Sequence, residues 1–294
     1  MATPQSQSAS PGPAHAAAFE LVRDLAAALS SGSVSLPSYP QVALRLQKLL
    51  AAEDSDADQL VRVLGAEPVL AARVTTLAGA AALNPTGRKI TDLRTAIVLL
   101  GFDSLRTTVA AFAMVQIRQA AEFRSMEKPM AALWRESVSR AAMAYVVARA
   151  NGKFRPDTAM LAGILSGVGK LYLLTQANKH PQIFSDEASF QALVRDWHAS
   201  IAQALLESWK VAPEIIAAVR DWPAAGDDDR AAPDLADVLA AADLLQSHKD
   251  EPELVQSLIA DSLPMQRLGL LAGCATLLAD SATELESLRK ALIA

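Results

Sequence analysis

Apolar residues recur at intervals of three and four along almost the whole chain. No segment sustains an alternation of two, so the pattern predicts helices throughout. Residues 1–18 hold mainly Ala, Ser, Pro and Gln, with too little large apolar content to fold, and read as a disordered tail. Residues 19–29 form a first amphipathic segment, ended by Ser30-Ser31-Gly32-Ser33. The stiff stretch Leu36-Pro37-Ser38-Tyr39-Pro40 then enters a helix with Val42, Leu46, Leu49 and Leu50 at helical spacing. Ser55 or Asp56 can cap a helix that ends at Gly65, and Pro68 suits the first turn of another reaching about Ala80. Asn84-Pro85-Thr86-Gly87 is a loop. Thr91 can cap a helix over 92–100 that Gly101 ends, and a helix over about 104–119 closes this first subregion.

Further helices are expected near 128–150, 156–174, 190–208, 212–221, 233–246, 251–260, 264–280 and 282–293. The fold class is therefore all-α, with no repeat of fixed period. The charge run Gly226-Asp227-Asp228-Asp229-Arg230 between two of these helices reads as a solvated loop.

Composition adds how the helices pack. The 294 residues are 51% hydrophobic and only 5% aromatic, and alanine supplies much of that apolar content, which favours closely packed helices. No stretch approaches the roughly 18 to 20 continuous apolar residues of a membrane span. The N-terminus lacks the basic region and apolar block of a signal peptide, so a cytoplasmic protein without membrane contact is expected. The net charge of −5 comes from 27 basic residues scattered among 32 acidic ones, which argues against nucleic acid as a partner. The one cysteine, Cys274, excludes an internal disulfide and reads as a small buried hydrophobe.

Candidate chemistry is sparse. Of four histidines, His15 lies in the tail, while His180, His198 and His248 sit near helix ends or on mixed-polarity segments and read as exposed or capping residues. None has another histidine three or four residues away, as a metal pair on one helix face would need. Asp54-Ser55-Asp56-Ala57-Asp58 mimics the start of a calcium loop, but Gln59 stands at the sixth position and Gly65 at the twelfth, so it reads as a helix cap. Ser166 has no evident base, and Cys274 no histidine near it in sequence. Gly163 and Gly167, four apart, fall on one helix face and would let a neighbouring helix approach closely.

Leu161 to Leu174 reads LAGILSGVGKLYLL, which resembles the core of HD-type metal phosphohydrolases, where the equivalent stretch is Gly-Leu-Leu-His-Asp-Ile-Gly-Lys. Other segments fit in order: Leu36-Pro37-x-x-Pro40, VRVLGAEPVLAARVTTLA from Val61, ITDLRTAIVLLG from Ile90, Leu133-Trp134-Arg135, and the stretch from Trp209 to Trp222. Together they resemble the HDOD domain, an HD-related domain lacking the full HD metal set, over about residues 36–247. The resemblance implies a multi-helix HD-like bundle, with a helical subregion over 36–125 and an HD-like half over 126–247. Residues 19–35 would be an N-terminal helix and linker, and 248–294 a C-terminal helical extension that either caps the core or mediates dimerisation.

Carried over position by position, the first ligand histidine becomes Glu136, the His-Asp pair becomes Ser166-Gly167, and the last carboxylate is Asp243. Neither Ser nor Gly can hold a divalent ion as imidazole and carboxylate do. If the HD-like packing holds, Glu136 and Asp243 point toward a common interior, where they must share a proton, meet Arg135 or Arg140, or bind a cation. Leu77-Ala78-Gly79-Ala80 and Asp221-Trp222 also depart from the pattern of many relatives, which have Ala-Asn-Ser and a His pair there.

The resemblance implies a non-catalytic bacterial signalling module, in pathways linked to cyclic di-GMP or two-component systems, with no cofactor and no metal. With no room for a GGDEF, EAL or receiver domain, it is expected to act in trans on signalling proteins. The expected interaction surface includes Trp134, Glu136, Ser166 and Asp243. The rival reading is a degenerate HD-type phosphohydrolase.

Overall fold

The computed structural model describes residues 13–52, 56–176, 179–184, 186–227, 230–248, 251–271 and 273–293. Ser55, the Asp54 start of the calcium-like run, and Asp228-Asp229 lie outside them. Among the described residues every regular element is a helix, as the hydrophobic periodicity predicts.

The first helix, α1 (Pro13–Ser30), begins earlier than expected, because the Ala-rich run before Phe19 has high helix propensity. The helices α2 (Gln41–Ala51), α3 (Ala57–Gly65) and α4 (Pro68–Ala78) follow. Of the two candidate caps, Asp56 does the work, its carboxylate accepting from the Gln59 backbone N–H at 2.7 Å. Likewise Asp92, not Thr91, caps α5 (Leu93–Gln119), accepting from Thr95 N–H at 2.8 Å.

Helix α5 is broken where the sequence places a stop, since Gly101 has φ 71° and ψ 173°. Only glycine takes that backbone without strain. Beyond the break, residues 104–117 are buried almost throughout. A 3₁₀ turn (Ala121–Met126) leads into α6 (Glu127–Asn151), the central helix.

The stretch expected as one helix over 156–174 divides into α7 (Pro156–Leu165) and α8 (Val168–Thr175), parting at Ser166-Gly167. Both glycines face α6 even so. A Cβ on Gly163 would lie 2.5 Å from Ala141 Cα, and one on Gly167 would lie 2.6 Å from Ser137 Oγ. At Gly163 the obstacle is backbone and cannot give way, so that glycine sets how closely α6 and α7 pack, while at Gly167 the Ser137 and Leu133 side chains would have to move. Two runs, Leu93–Gln119 and Pro156–Thr175, are apolar enough over a long enough span to cross a membrane by composition alone. Their most apolar windows are 67% and 89% buried inside the protein, which accounts for that composition.

A one-turn helix not expected from the pattern, α9 (Pro181–Phe184), precedes α10 (Glu187–Ser208), which starts three residues before the expected position because Asp186 caps it. Then come α11 (Pro213–Asp221), a 3₁₀ turn (Trp222–Ala224) and α12 (Leu235–Ser247), whose capping box joins Asp234 and Asp237.

The C-terminal segment forms α13 (Pro252–Ala260), α14 (Leu263–Arg267), α15 (Cys274–Asp280) and α16 (Ala282–Ile293). The single helix expected over 264–280 is thus two short ones, with Gly269 and Gly273 at positive φ between them. This segment caps the core. Leu285, Leu288 and Leu292 of α16 are buried, and Glu284 meets Arg149 of α6. Asp237, fully buried in α12, is held by Arg230 at 3.0 Å and by Arg267 of α14 at 2.6 Å. Cys274 is buried, as its apolar surroundings suggest.

Candidate functional site

Six helical elements, α6, α7, α8, α10, the 3₁₀ turn after α11 and α12, meet around Arg140. Spacing on α6 puts Leu133, Glu136 and Arg140 along one face, three and four residues apart. The α7–α8 junction brings Ser166 and Gly167 opposite them, with Lys170 one turn further. Helix α10 adds His198, the turn after α11 adds Trp222, and α12 adds Asp243.

Arg140 dominates this meeting point. Its side chain is 9% exposed, and its guanidinium donates to Asp243 Oδ1 from Nε at 2.9 Å and from Nη2 at 2.6 Å. Nη1 donates to Ser166 Oγ at 2.7 Å. The guanidinium carbon lies 4.5 Å from the centroid of the Trp222 ring, a cation–π distance. A fixed organic cation therefore satisfies the one carboxylate carried over from the HD ligand set. The residues do not fit a divalent metal, because Asp243 is engaged by a guanidinium and Ser166-Gly167 supply no ligand. Among the described residues no cluster of three or more His, Cys, Asp or Glu side chains is placed to hold a metal ion.

Glu136 and Asp243 do not share an interior. Glu136 is 46% exposed and faces Lys170, Oε2 to Nζ, at 3.7 Å. Each carboxylate has found its own cation, Arg140 for one and Lys170 for the other. Ser166 donates its only hydroxyl proton to the Gly163 carbonyl at 2.7 Å while it accepts from Arg140. It is thus a structural link, with its hydroxyl proton committed to the Gly163 carbonyl.

Trp134 departs from its expected place. It is 5% exposed, so it presents no surface to a partner, because residue 134 turns to the core while 133 and 136 turn to the site. The aromatic of the site is Trp222. Ser166 is 1% exposed, leaving Glu136 and Asp243 as the members of the expected surface with accessible side chains.

His198 was not legible as a site residue, and the reading of it as exposed or capping is overturned. It is 8% exposed, and His180 is 9% exposed. The signal was in the pattern: Phe190, Val194, His198, Ile201 and Leu205 follow the apolar stripe of α10 at intervals of three and four. His248, in contrast, sits at the C-cap of α12. Gly169 makes room for His198, since a Cβ there would lie 2.3 Å from the His198 carbonyl oxygen and 2.6 Å from Nδ1. Among the described residues neither ring nitrogen of His198 finds a hydrogen-bond partner, and both are closed off from solvent. Burial, then the charges of Arg140 and Lys170, push its pKa down to about 4, so the imidazole is neutral at pH 7. Beside it opens a cavity of about 360 Å³ that reaches from Leu133 and Glu136 to Trp222 and Pro223.

The model of the HDOD domain family matches residues 36–222, well over half of the chain. A Shewanella amazonensis structure, provisionally assigned as a metal-dependent phosphohydrolase, superposes with a TM-score of 0.74 at 23% identity, covering 94% of this chain and 99% of that one. An HDOD domain protein of unknown function from Geobacter sulfurreducens superposes with a TM-score of 0.62 at 21% identity, over 93% and 98% of the two chains. A Marinobacter aquaeolei protein, provisionally assigned to signal transduction, gives 0.56 at 18% identity over 95% and 66%. At these identities the likeness is one of fold. Among curated proteins none matches.

Proposed function

The chain belongs to the HDOD domain family, and from that premise we propose that it is a non-catalytic regulatory module of bacterial signal transduction, working in the cytoplasm through contacts with signalling proteins in trans. The observation that carries this reading is Arg140. A guanidinium bonded to Asp243 and Ser166 stands where a hydrolase would need a divalent ion, its ligands and an activated water.

Replacing a metal by an arginine keeps the helices tied together while removing the Lewis acid. Such a scaffold still offers what a signalling module needs, a surface with defined charges. The accessible charges at the site are Glu136 with Lys170 at the rim and Asp243 on α12. Exposed charge pairs steer association more than they hold it, so a partner of complementary charge would read them mainly through its on-rate.

Elemental analysis of the chain purified without chelators or a histidine tag tests the reading directly. About 0.1 equivalents or less of Mn, Fe or Zn per chain is expected, since a folded metal site would retain close to a full equivalent. One or more tightly held ions would instead favour the rival, a phosphohydrolase with an altered ligand set.

A further inference from the structure

We propose that Arg73 of α4 and Arg118 of α5 form a binding site for a phosphate group, held between two guanidiniums that no carboxylate among the described residues neutralises. Helix α4 packs along α5. Arg73 sits in the middle of α4, beside the buried stripe Leu70, Val74 and Leu77, and Arg118 lies in the last turn of α5. Both side chains are part-buried, and the Nε of each is closed off from solvent without a hydrogen-bond partner. The terminal Nη nitrogens do not share that closure and are bonded to no other described residue, so each fork presents unused donors.

The two cations also act on each other. Burial, and after it the charge of Arg118, push the Arg73 pKa below its usual value, and no carboxylate acts on it. Like charges held together in a part-buried place repel, and buried donors are almost always paired. Two ordinary explanations cover part of this. An arginine stem can lie along apolar surface with its head in water, but that leaves the heads free to part, and these two stand within each other's field. A cation in the last turn of a helix is favoured by the macrodipole, which accounts for Arg118 but not for Arg73 in mid-helix.

A bound anion removes both the repulsion and the unused donors. The donor set selects its chemistry. Two guanidiniums from different helices bring two charges and two planar forks of N–H groups. A phosphate monoester carries close to two negative charges at pH 7 and three acceptor oxygens around a tetrahedral centre, so it can accept from both forks and neutralise both. A carboxylate has one charge and two oxygens in one plane, enough for one arginine. Neither α4 nor α5 lines the cavity beside Arg140, so this inference is independent of how that cavity is read.

Titrating the full chain with inorganic phosphate, phenyl phosphate and acetate at matched ionic strength tests it, read by melting temperature and by the Nε–H NMR signals of arginine labelled with nitrogen-15. At least one phosphate should bind saturably with a Kd of about 1 mM or tighter and move the Arg73 and Arg118 signals ahead of the other arginines. At ten times that Kd the melting temperature should rise by about 2 °C. Tighter binding of phenyl phosphate identifies a phosphate carried on an organic body, and equal binding identifies the phosphate group alone. Arg73→Met and Arg118→Met keep the aliphatic stem and remove one charge of a repelling pair. Each should melt no lower than the parent without phosphate, yet weaken phosphate about tenfold or more, while Arg124→Met, at an exposed position, leaves it unchanged. The proposal is overturned if neither phosphate moves the two signals saturably at about 20 mM, if acetate does as well as phosphate, or if either Met variant keeps the parent's affinity. The parent's own NMR response decides the matter even where a variant folds poorly.

Discussion

Arg140→Met retains most of the aliphatic stem of the side chain and deletes the guanidinium, leaving Asp243 without its cation. Breaking a buried ion pair by removing one partner costs roughly 3–5 kcal/mol. Asp243 is 32% exposed, so water can reach the stranded carboxylate and the lower end, about 3 kcal/mol, applies. Loss of the Trp222 stacking adds about 0.5–1 kcal/mol. Ser166 adds little, because its bond to the Gly163 carbonyl survives. With roughly 2.1 cal/mol/K of unfolding entropy per residue, a two-state chain of 294 residues melts about 6 °C lower for a loss of about 3.5–4 kcal/mol. Urea denaturation monitored by circular dichroism, with calorimetry alongside, reads both quantities. Arg140→Met/Asp243→Leu should recover most of the loss, since no charge is then left unpaired, and the cycle should give a coupling of about 2 kcal/mol or more. A single-variant cost below about 0.5 kcal/mol would mean that the guanidinium is a surface ornament rather than the tie that replaces a metal.

Other outcomes are equally concrete. The folded-state pKa of His198 is about 4 against an ordinary 6.5, so between those values the unfolded chain binds a proton that the native one refuses. Stability should therefore fall as pH drops from about 6.5 to 4, by up to about 3 kcal/mol from this group, and His198→Leu should flatten that part of a denaturation-midpoint profile relative to the parent. At pH 7 the same variant should be as stable as the parent or more so, by about 1–3 kcal/mol, because it removes two unpaired polar atoms; a marked drop in urea midpoint would contradict the burial argument. Gly163→Ala forces α6 and α7 apart at the backbone of Ala141 and should cost about 2–3 kcal/mol by urea denaturation, where an exposed helical glycine would gain stability. Asp237→Ala removes the buried carboxylate of Arg267, leaving its guanidinium the Ala225 carbonyl, and should cost about 3–5 kcal/mol, with early proteolysis of the segment after residue 248 as its visible sign.

The helices were legible because their apolar stripes repeat at 3.6 residues, and the HD-like arrangement because the motifs occur in order. Boundaries failed where a side-chain cap or a glycine acted locally: Asp186 extends α10 backwards, and Gly269 and Gly273 split what periodicity joins. Glu136, Ser166, Gly167 and Asp243 could be located by position along the motifs, but not their partners. Arg140 was one of two arginines that could have answered a carboxylate, and only the packing of α6 against α12 selects it. Trp134 read as a site residue because it adjoins a ligand position in sequence, yet one residue along a helix is a turn of about 100° and ends in the core. His198 hid for the opposite reason, since it sits on an apolar stripe where a histidine looks incidental.

The Ser166-Gly167 pair is bound up with packing as well as chemistry. At position 167 the space that an aspartate side chain would need is filled by Ser137 Oγ, 2.6 Å from a notional Cβ, and by Leu133 Cδ1 at 2.9 Å. At position 163 the neighbour is the backbone of Ala141 itself. The close approach of α6 that these glycines permit is what carries Arg140 into reach of Ser166 and Asp243. A side chain at 167 would therefore have to displace Ser137 Oγ and Leu133 Cδ1 on the face of α6 that also carries Arg140. In this arrangement small residues let the helices come together and an arginine occupies the centre.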